Sequence, residues 1–406
     1  MLRMRNASHR DAASTIWAPS LDEAALEWQQ VARKLTDEIF RGRAAQVDAE
    51  QRYATENVVE LARAGIDRMF LPKPYGGGAS LTALSAVIEE IATGCASTSG
   101  IVATLQLGLS PVLRAGNDAQ MHRFVLDGNG GMKAIAFALS ERDAGSDPAS
   151  MTTVATREGA GWRIRGEKCW IGGGGVSETY VVFAQTEPGS GHRGIAAFLV
   201  DANQPGVTAP DREDKMGMRG TVNARLVFDT VVDEGAVLAP PGKAFALAVD
   251  ALKIGRITVA AQSCGIALAA YRAAAVHATQ RVTFGRKIIE HQGVAFPLAD
   301  LATRLSAGRM MAYAAAAAFD AGEEVTVIGA QAKLFCSEMA HEAVDLAVQV
   351  FGGAGFVKPN LAERLYRDQR ATEIYEGTSE IQRLVIARAI RTEHTSGQYT
   401  NGELAR

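Results

Sequence analysis

Val154-Ala155-Thr156-Arg157 and Gly161-Trp162-Arg163-Ile164-Arg165-Gly166 are two extended runs separated by three residues that include Gly159. Each mixes β-branched or aromatic residues with polar ones, and so short a connection predicts a hairpin. Upstream lies the apolar run Ala134-Ile135-Ala136-Phe137-Ala138-Leu139. Downstream lie Tyr180-Val181-Val182-Phe183-Ala184, Ile195-Ala196-Ala197-Phe198-Leu199-Val200 and Ala224-Arg225-Leu226-Val227-Phe228. Strands this close together leave no room for crossover helices. They predict an antiparallel sheet or barrel over residues 134–243.

Both flanks of this segment read as helical. Leu21, Ala24, Ala25 and Trp28 recur at three- to four-residue spacing, as do Val58, Leu61 and Ala62, and then Val87, Ile88, Ile91 and Ala92. Pro72, Pro74 and Gly76-Gly77-Gly78 interrupt the pattern. From Ala244 to Ile390, periodic segments of about 20 residues or more predict a helix bundle. The expected organisation is an N-terminal helical domain over 21–133, a middle antiparallel β domain over 134–243 and a C-terminal helical bundle over 244–393. Residues 1–20 read as a disordered tail and 394–406 as a flexible one. Arg3, Arg5 and Arg10 stand in the first segment without the apolar core of a secretory signal, and Asp11 argues against a transit peptide.

A length of 406 residues fits two or three domains, and 47% hydrophobic with 21% charged residues is the balance of a globular protein. The formal net charge is −3, from 42 basic and 45 acidic residues, so neither nucleic acid nor an anionic membrane is expected as a partner. Cys95, Cys169, Cys264 and Cys336 stand alone, with no ligand spacing for zinc, so no metal is expected and a reducing cytoplasm fits. No uninterrupted apolar run approaches the ~18 residues of a membrane span.

The common catalytic signatures fail. No GxGxxG follows a strand and opens a helix, so a Rossmann site has no support. His341-Glu342 lacks a second histidine four residues on, and no GxSxG elbow occurs. What remains is a series of longer segments. They are Tyr75-Gly76-Gly77, Gly145-Ser146-Asp147, Lys168-Cys169-Trp170-Ile171, Lys215-Met216-Gly217, Arg281 with Phe284-Gly285, Gln349 with Gly352-Gly353, and Tyr375-Glu376-Gly377-Thr378-Ser379-Glu380-Ile381-Gln382. Taken alone, each reads as a polar loop, a core tryptophan, a basic turn or a helix stop. In this order and spacing, from about Leu21 to Arg391, they resemble the acyl-CoA dehydrogenase family. These are flavoproteins that desaturate acyl thioesters. Gly255-Arg256-Ile257 and Glu376 look most like the short-chain members.

The resemblance implies the same three-domain architecture, its C-terminal part a four-helix bundle, with bound FAD and an oligomer, commonly a tetramer. It makes Glu376 the base that takes the α-proton. Removal of that proton needs a base in a dry site, and burial would raise the carboxylate toward working pH. The β-hydrogen must leave as hydride, which no side chain accepts, so a flavin is required. Ser379 with Gln382 matches a capping box, which would pin Glu376 just before a helix. Arg256, Ser146, Tyr375 and Gly377 resemble substrate-binding positions. Phe137, Leu139, Ser140, Gly145 and Ser146 match the isoalloxazine and ribityl side of the flavin site, with Trp170, Ile171 and Gly172 over the ring. Arg281, Thr283, Phe284, Gln349, Gly352 and Gly353 match the pyrophosphate and adenosine end, supplied from a neighbouring subunit, and His291 and Gln292 match positions near the adenosine part. Thr378 and Glu380 would also touch the cofactor. Arg281 suits phosphate because its guanidinium donates two aligned hydrogen bonds.

Three segments depart from the family. Thr or Ser usually follows Trp-Ile, where a hydroxyl can reach flavin N5. Here Gly172 opens a run through Gly175, and a more mobile loop is expected. Ala244 replaces a usual glycine before the third domain, and Arg142-Asp143 replaces a common Pro-Gly. Some relatives carry the base at the position that is Gly255 here, so that alternative is absent. The expected function is FAD-dependent α,β-dehydrogenation of a short-chain acyl-CoA, with an electron-transfer flavoprotein as acceptor. The alternatives are an acyl-CoA oxidase using O2, for which Gly172 speaks, a desaturase of an acyl-carrier-protein thioester, and a non-catalytic partner- or DNA-binding member. Retention of Glu376 and Arg256 opposes the last.

Overall fold

The computed structural model describes residues 15–395. Helices α1 (Glu23–Leu35), α2 (Arg41–Glu50), α3 (Thr55–Arg63), α4 (Leu81–Ala92), α5 (Ala96–Ala115) and the single turn α6 (Asp118–Gln120) build the N-terminal part. Strands β1 (Ile135–Ala138), β2 (Val154–Glu158), β3 (Gly161–Gly172), β4 (Thr179–Gln185), β5 (Ile195–Asp201), β6 (Val207–Arg212), β7 (Asn223–Asp233) and β8 (Val237–Ala239) follow. Then come α7 (Ala244–Gln280), the small hairpin β9 (Val282–Thr283) and β10 (Arg286–Lys287), α8 (Gln292–Asp320), α9 (Thr326–Phe351), α10 (Leu361–Gln369) and α11 (Ser379–Thr395).

Local chemistry sets the helix starts. Asp22 accepts from the Ala25 amide at 2.8 Å and opens α1, and Ser80 accepts from the Ala83 amide at 3.1 Å and opens α4. The N-terminus of α4 is also capped from a distance: Asp320, at the end of α8, accepts from the Leu81 and Thr82 amides at 2.7 and 2.9 Å. α5 is long and apolar enough to cross a membrane by composition, but most of it is buried inside the protein, as the core helix of a packed domain.

The sheet runs β6-β7-β3-β2-β4-β5-β8. The β2–β3 hairpin pairs from Val154 opposite Arg165 to Glu158 opposite Gly161. The expectation of a wholly antiparallel domain needs correction. β1 lies parallel to β4, from Ile135 opposite Thr179 to Ala138 opposite Val182, and β2 meets β4 in parallel at Val154 and Gln185. Parallel neighbours need a long connection, and the chain supplies one by building the whole β2–β3 hairpin between β1 and β4. β3 and β7 pair with a register irregularity between Lys168 and Ile171, and Trp170 sits there at φ 59°. Such a bulge re-aims a side chain.

One hydrophobic core runs through both helical parts, joining α1 and α4 to α7, α8 and α9, and a second fills the β domain and the face of α5 against it. α7 crosses α4 so closely that a β-carbon on Gly265 would lie 2.6 Å from Ala92 Cβ. The tail expected over 1–20 is corrected for its described part. Ile16 is buried, Trp17 N donates to Ser306 Oγ at 3.0 Å, and Arg309 reaches the Trp17 carbonyl. Arg309 also pairs with buried Glu89 at 2.6 Å, and Tyr313 donates to the same carboxylate at 2.6 Å. A buried carboxylate needs such partners, and they clamp the N-terminal segment to the bundle. Residues 1–14 and 396–406 lie outside the described residues, while 394 and 395 belong to α11.

The segment after β6 joins all three parts. Gly220 donates to Ser97 Oγ at 3.1 Å and accepts from the Ala54 amide at 3.1 Å, and Met218 N donates to buried Asp368 on α10. Arg367 pairs with Asp48 at 2.7 Å. Under the loop that follows β1, Lys168 and Glu141 form a buried ion pair at 2.9 Å. Lys168 also donates to the Leu139 carbonyl at 3.0 Å, and Glu141 accepts from the amides of Thr152 and Thr153 at 2.6 and 2.9 Å. Lys168 and these donors hold the Glu141 carboxylate far below its usual range despite its burial. Removing one partner strands the other charge, at a cost of about 3–5 kcal/mol. Lys168→Met should therefore lower the denaturation midpoint strongly, and the double variant Lys168→Met/Glu141→Gln should lose less than the single one.

Candidate active site

Glu376 stands in the connection between α10 and α11. Its backbone is left-handed at φ 57°, followed by Gly377 at φ 91°. A non-glycine residue in that region costs about 1–3 kcal/mol and persists only where the surroundings enforce it. Here they do. Gln382 Nε2 donates to the Glu376 and Gly377 carbonyls at 3.2 and 2.8 Å, and Lys333 Nζ donates to the Gly377 carbonyl at 2.8 Å. Tyr375 donates its hydroxyl to Gln262, which is itself anchored to Ser99 Oγ at 2.8 Å. The capping box expected from Ser379 and Gln382 is corrected. Thr378 Oγ1 accepts from the Ile381 amide at 3.3 Å and caps α11, which frees Gln382 to hold the loop carbonyls instead.

The Glu376 carboxylate points at α7. A β-carbon on Gly255 would overlap its Oε2 and lie 2.8 Å from its Cδ. Glu376 Oε2 has no hydrogen-bond partner among the described residues, nor have Nε and Nη1 of buried Arg256, the next residue. Burial pushes the Glu376 carboxyl up to about 7, against the pull of Lys333 and Arg256. The same burial lowers Lys333 to about 8, opposed chiefly by Glu376, and lowers Arg256 as well. A desolvated carboxylate without a donor on it is a proton acceptor at neutral pH.

A second set of residues gathers where β1 and β3 end against α5. Phe137 and Leu139 are buried in the core of the β domain, with Phe137 packed on Phe183 at 5.0 Å between ring centroids. Their side chains belong to that core. Ser140, Gly145 and Ser146 continue into the loop above it, and the Ser140 carbonyl accepts from the Cys169 amide at 3.0 Å. Ile171 is buried, but Trp170 turns outward and is 49% exposed, its carbonyl held by Asn223 at 2.9 Å. The glycine run after it is not the loose loop expected. Gly173 donates to the Val222 carbonyl at 2.8 Å, Gly174 to Ile171 at 3.0 Å and Gly175 to the Tyr180 hydroxyl at 3.0 Å. Gly172 faces Thr104 of α5.

The third set lies past the end of α7. Arg281, Thr283 and Phe284 occupy the β9–β10 hairpin, and Phe284 is 97% exposed at φ 50°. His291 contacts the Thr283 carbonyl at 3.3 Å and Arg286 at 3.0 Å, so it shapes this hairpin, while Gln292 opens α8 on the surface. Gln349, Gly352 and Gly353 are exposed at the end of α9. Thr378 is the α11 cap. Glu380 sits in the first turn, where its own amide and the Thr378 hydroxyl hold its carboxylate low. Sequence reasoning missed Lys333, Gln262, Gln382 as a loop anchor, and the Lys168–Glu141 pair. The one usable signal was Lys333 itself, a lone charge in the apolar helical run Ala330-Gln331-Ala332-Lys333-Leu334-Phe335.

An outward tryptophan, unpaired buried groups at Glu376 and Arg256, and exposed Arg281 and Phe284 fit a large ligand with aromatic and phosphate parts. Family models for the N-terminal, middle and C-terminal domains of acyl-CoA dehydrogenase match residues 22–127, 136–231 and 242–391. The chain belongs to the acyl-CoA dehydrogenase family. It is therefore an acyl-CoA dehydrogenase that uses FAD. It is 40% identical over 368 residues to the probable acyl-CoA dehydrogenase FadE25 of Mycobacterium tuberculosis, covering 90% of this chain and 94% of that one. The short-chain specific acyl-CoA dehydrogenase of Bos taurus is 41% identical over 347 residues, 85% of this chain and 84% of that one. Among solved structures, butyryl-CoA dehydrogenase of Megasphaera elsdenii superposes with TM-score 0.89 at 32% identity, covering 92% of this chain and all of that one. A chain solved in work on the electron transferring flavoprotein of Acidaminococcus fermentans has the same TM-score and identity, with 92% and 99% covered.

In this acyl-CoA dehydrogenase, Gly255 is the vacancy that Glu376 fills. Gly255→Ala should stabilise the helix locally, because alanine is the better helix former by about 1 kcal/mol. It should still lower kcat by roughly 100-fold, the scale expected when a reacting group is displaced by about 1 Å. Steady-state kinetics at unchanged FAD content would read this.

Proposed function

We propose that the protein dehydrogenates a short-chain acyl-CoA between its α- and β-carbons, with Glu376 taking the α-proton. The observation that carries this is the Glu376 carboxylate, unpaired at Oε2, held in a left-handed loop and raised to about 7 by burial. Bound FAD supplies the acceptor for the hydride that leaves the β-carbon. Lys333 and Gln382 hold the carbonyls beside the base, which keeps its direction fixed when it gains a proton. Arg256 offers two unpaired guanidinium donors beside it, a suitable partner for the polar thioester end. Trp170 and Ile171 would cover the flavin ring, with Ser140 and Ser146 on its polar edge.

The short-chain assignment is supported by the likeness to the bovine short-chain specific enzyme and to butyryl-CoA dehydrogenase of Megasphaera elsdenii. An electron-transfer flavoprotein is the acceptor we infer, in keeping with the neighbour from Acidaminococcus fermentans. Exposed Phe284, Phe296, Phe356 and Val357 support a homo-oligomer, a tetramer in our reading, that covers them. In it, Arg281 would reach the cofactor of a neighbouring subunit.

A panel of acyl-CoA thioesters tests the reading: kcat/KM should peak near C4, and a value still rising at C12 overturns the short-chain assignment. Glu376→Gln should keep FAD and bind acyl-CoA, yet reduce flavin bleaching by at least the ~10²–10⁴-fold of general-base catalysis. The base works ionised, so the wild-type rate should rise with pH through about 7 and fall away below it. That limb should vanish in the variant's residual rate. Arg281→Ala should lose FAD on gel filtration and shift the oligomer to smaller species. Full FAD occupancy in an unaltered oligomer by native mass spectrometry would remove Arg281 from the cofactor site.

A further inference from the structure

We propose that Thr104, on α5, occupies the place of the side chain missing at Gly172 and supplies from there the hydroxyl that faces the flavin. This rests on the reading of the site as that of an FAD-dependent dehydrogenase. The departure at Gly172 looks like a lost hydroxyl in the sequence. In three dimensions the space is taken. A β-carbon on Gly172 would lie 3.0 Å from Thr104 Cγ2, 3.2 Å from its Oγ1 and 3.7 Å from its Cβ. Both γ atoms of Thr104 therefore point into the volume that a residue at 172 would use. Only one of the two positions can carry a side chain there without a shift.

Neither partner is free to retreat. Gly172 ends β3 and is paired with Asn223 of β7, while Gly173 is bonded to the Val222 carbonyl. On the other side, Gly108 lies four residues after Thr104 and thus on the same face of α5. A β-carbon on Gly108 would stand 2.8 Å from the Ile135 carbonyl carbon, so α5 lies directly on β1 at that point. Thr104 is delivered to the sheet end by a helix whose distance from the sheet is set one turn away.

The hydroxyl is also available. A helical threonine commonly bonds back to the carbonyl four residues earlier. Thr98, Ser99 and Ser110 of the same helix all spend their hydroxyls within it, on Cys95 Sγ, the Ala96 carbonyl and the Gln106 carbonyl. Thr104 Oγ1 has no hydrogen-bond partner among the described residues, and the residue is only partly buried. Unlike its neighbours it presents a free donor at the rim where Gly172 meets α5.

Four variants test this: Thr104→Val, Thr104→Ser, Gly172→Thr, and Gly172→Thr/Thr104→Ala. Thr104→Val keeps the shape and removes the hydroxyl. It should shift the absorption maximum of the bound flavin and slow flavin reduction by butyryl-CoA about tenfold, the scale of one hydrogen bond. Thr104→Ser should stay with the wild type in both. Gly172→Thr should crowd Thr104, lowering the thermal midpoint and speeding FAD loss, and the double variant should recover both. The proposal is overturned if Thr104→Val matches the wild type in flavin spectrum and reduction rate. It is equally overturned if the double variant is no more stable than Gly172→Thr. Failure of the underlying reading looks different: the wild type itself would carry no FAD, or its flavin would not be reduced by any acyl-CoA.

Discussion

The loop carrying Glu376 is held by the ammonium of Lys333 on the Gly377 carbonyl, and much of the site depends on that contact. Lys333 is buried in α9, and its charge has two obligations there. It satisfies a carbonyl that a left-handed turn leaves without an internal partner. It also offsets, at short range, the charge of a carboxylate that burial would otherwise neutralise. Gln382 shares the first task and Arg256 the second. The result is a carboxylate with no hydrogen bond at Oε2, near the middle of the physiological pH range and fixed in direction. Reactivity here comes from what the fold withholds from Glu376 as much as from what surrounds it.

That arrangement spans elements distant in the chain. Gly255 and Arg256 come from α7, Lys333 from α9, Gln262 from α7 by way of Tyr375, and Gln382 from α11. They meet because one core joins the bundle to α1 and α4, and because the segment around Met218 and Gly220 ties the β domain to α10 and to Ser97 at the start of α5. α5 stands at the centre. It supports β1 on one face and offers Ser99 to Gln262 on another. A helix apolar enough in composition to enter a membrane is used here as the strut between the Glu376 loop and the sheet.

The order of domains was legible in the sequence because it rests on periodicity. The change from three- to four-residue spacing to short extended runs near Ala134 needs no tertiary knowledge, and the β2–β3 hairpin follows from two runs around Gly159. Glu376, Arg256 and the glycine-rich segments were singled out through motif order. The parallel seat of β1 beside β4 was not, since pairing partners are chosen by the sheet and not by the strand. Nor was the order of residues 15–20: Ile16 and Trp17 carry no periodic pattern of their own, and side chains almost three hundred residues away, Arg309, Ser306 and Tyr313 among them, give Trp17 its place.

The sequence by itself determined which groups are present: a carboxylate before a helix, an arginine after a glycine, a tryptophan at the end of a strand, and no hydroxyl at position 172. Tertiary structure alone decided their states. Whether Glu376 is a solvated loop carboxylate or a base depends on desolvation, a property of the surrounding volume. Whether Gly172 leaves a gap depends on Thr104, sixty-eight residues earlier in the chain, whose Cγ2 lies 3.0 Å from where a β-carbon on Gly172 would stand. Composition and spacing encode what a residue can do. Burial, proximity and unmet hydrogen bonds encode what it does, and these exist only once the chain has closed on itself.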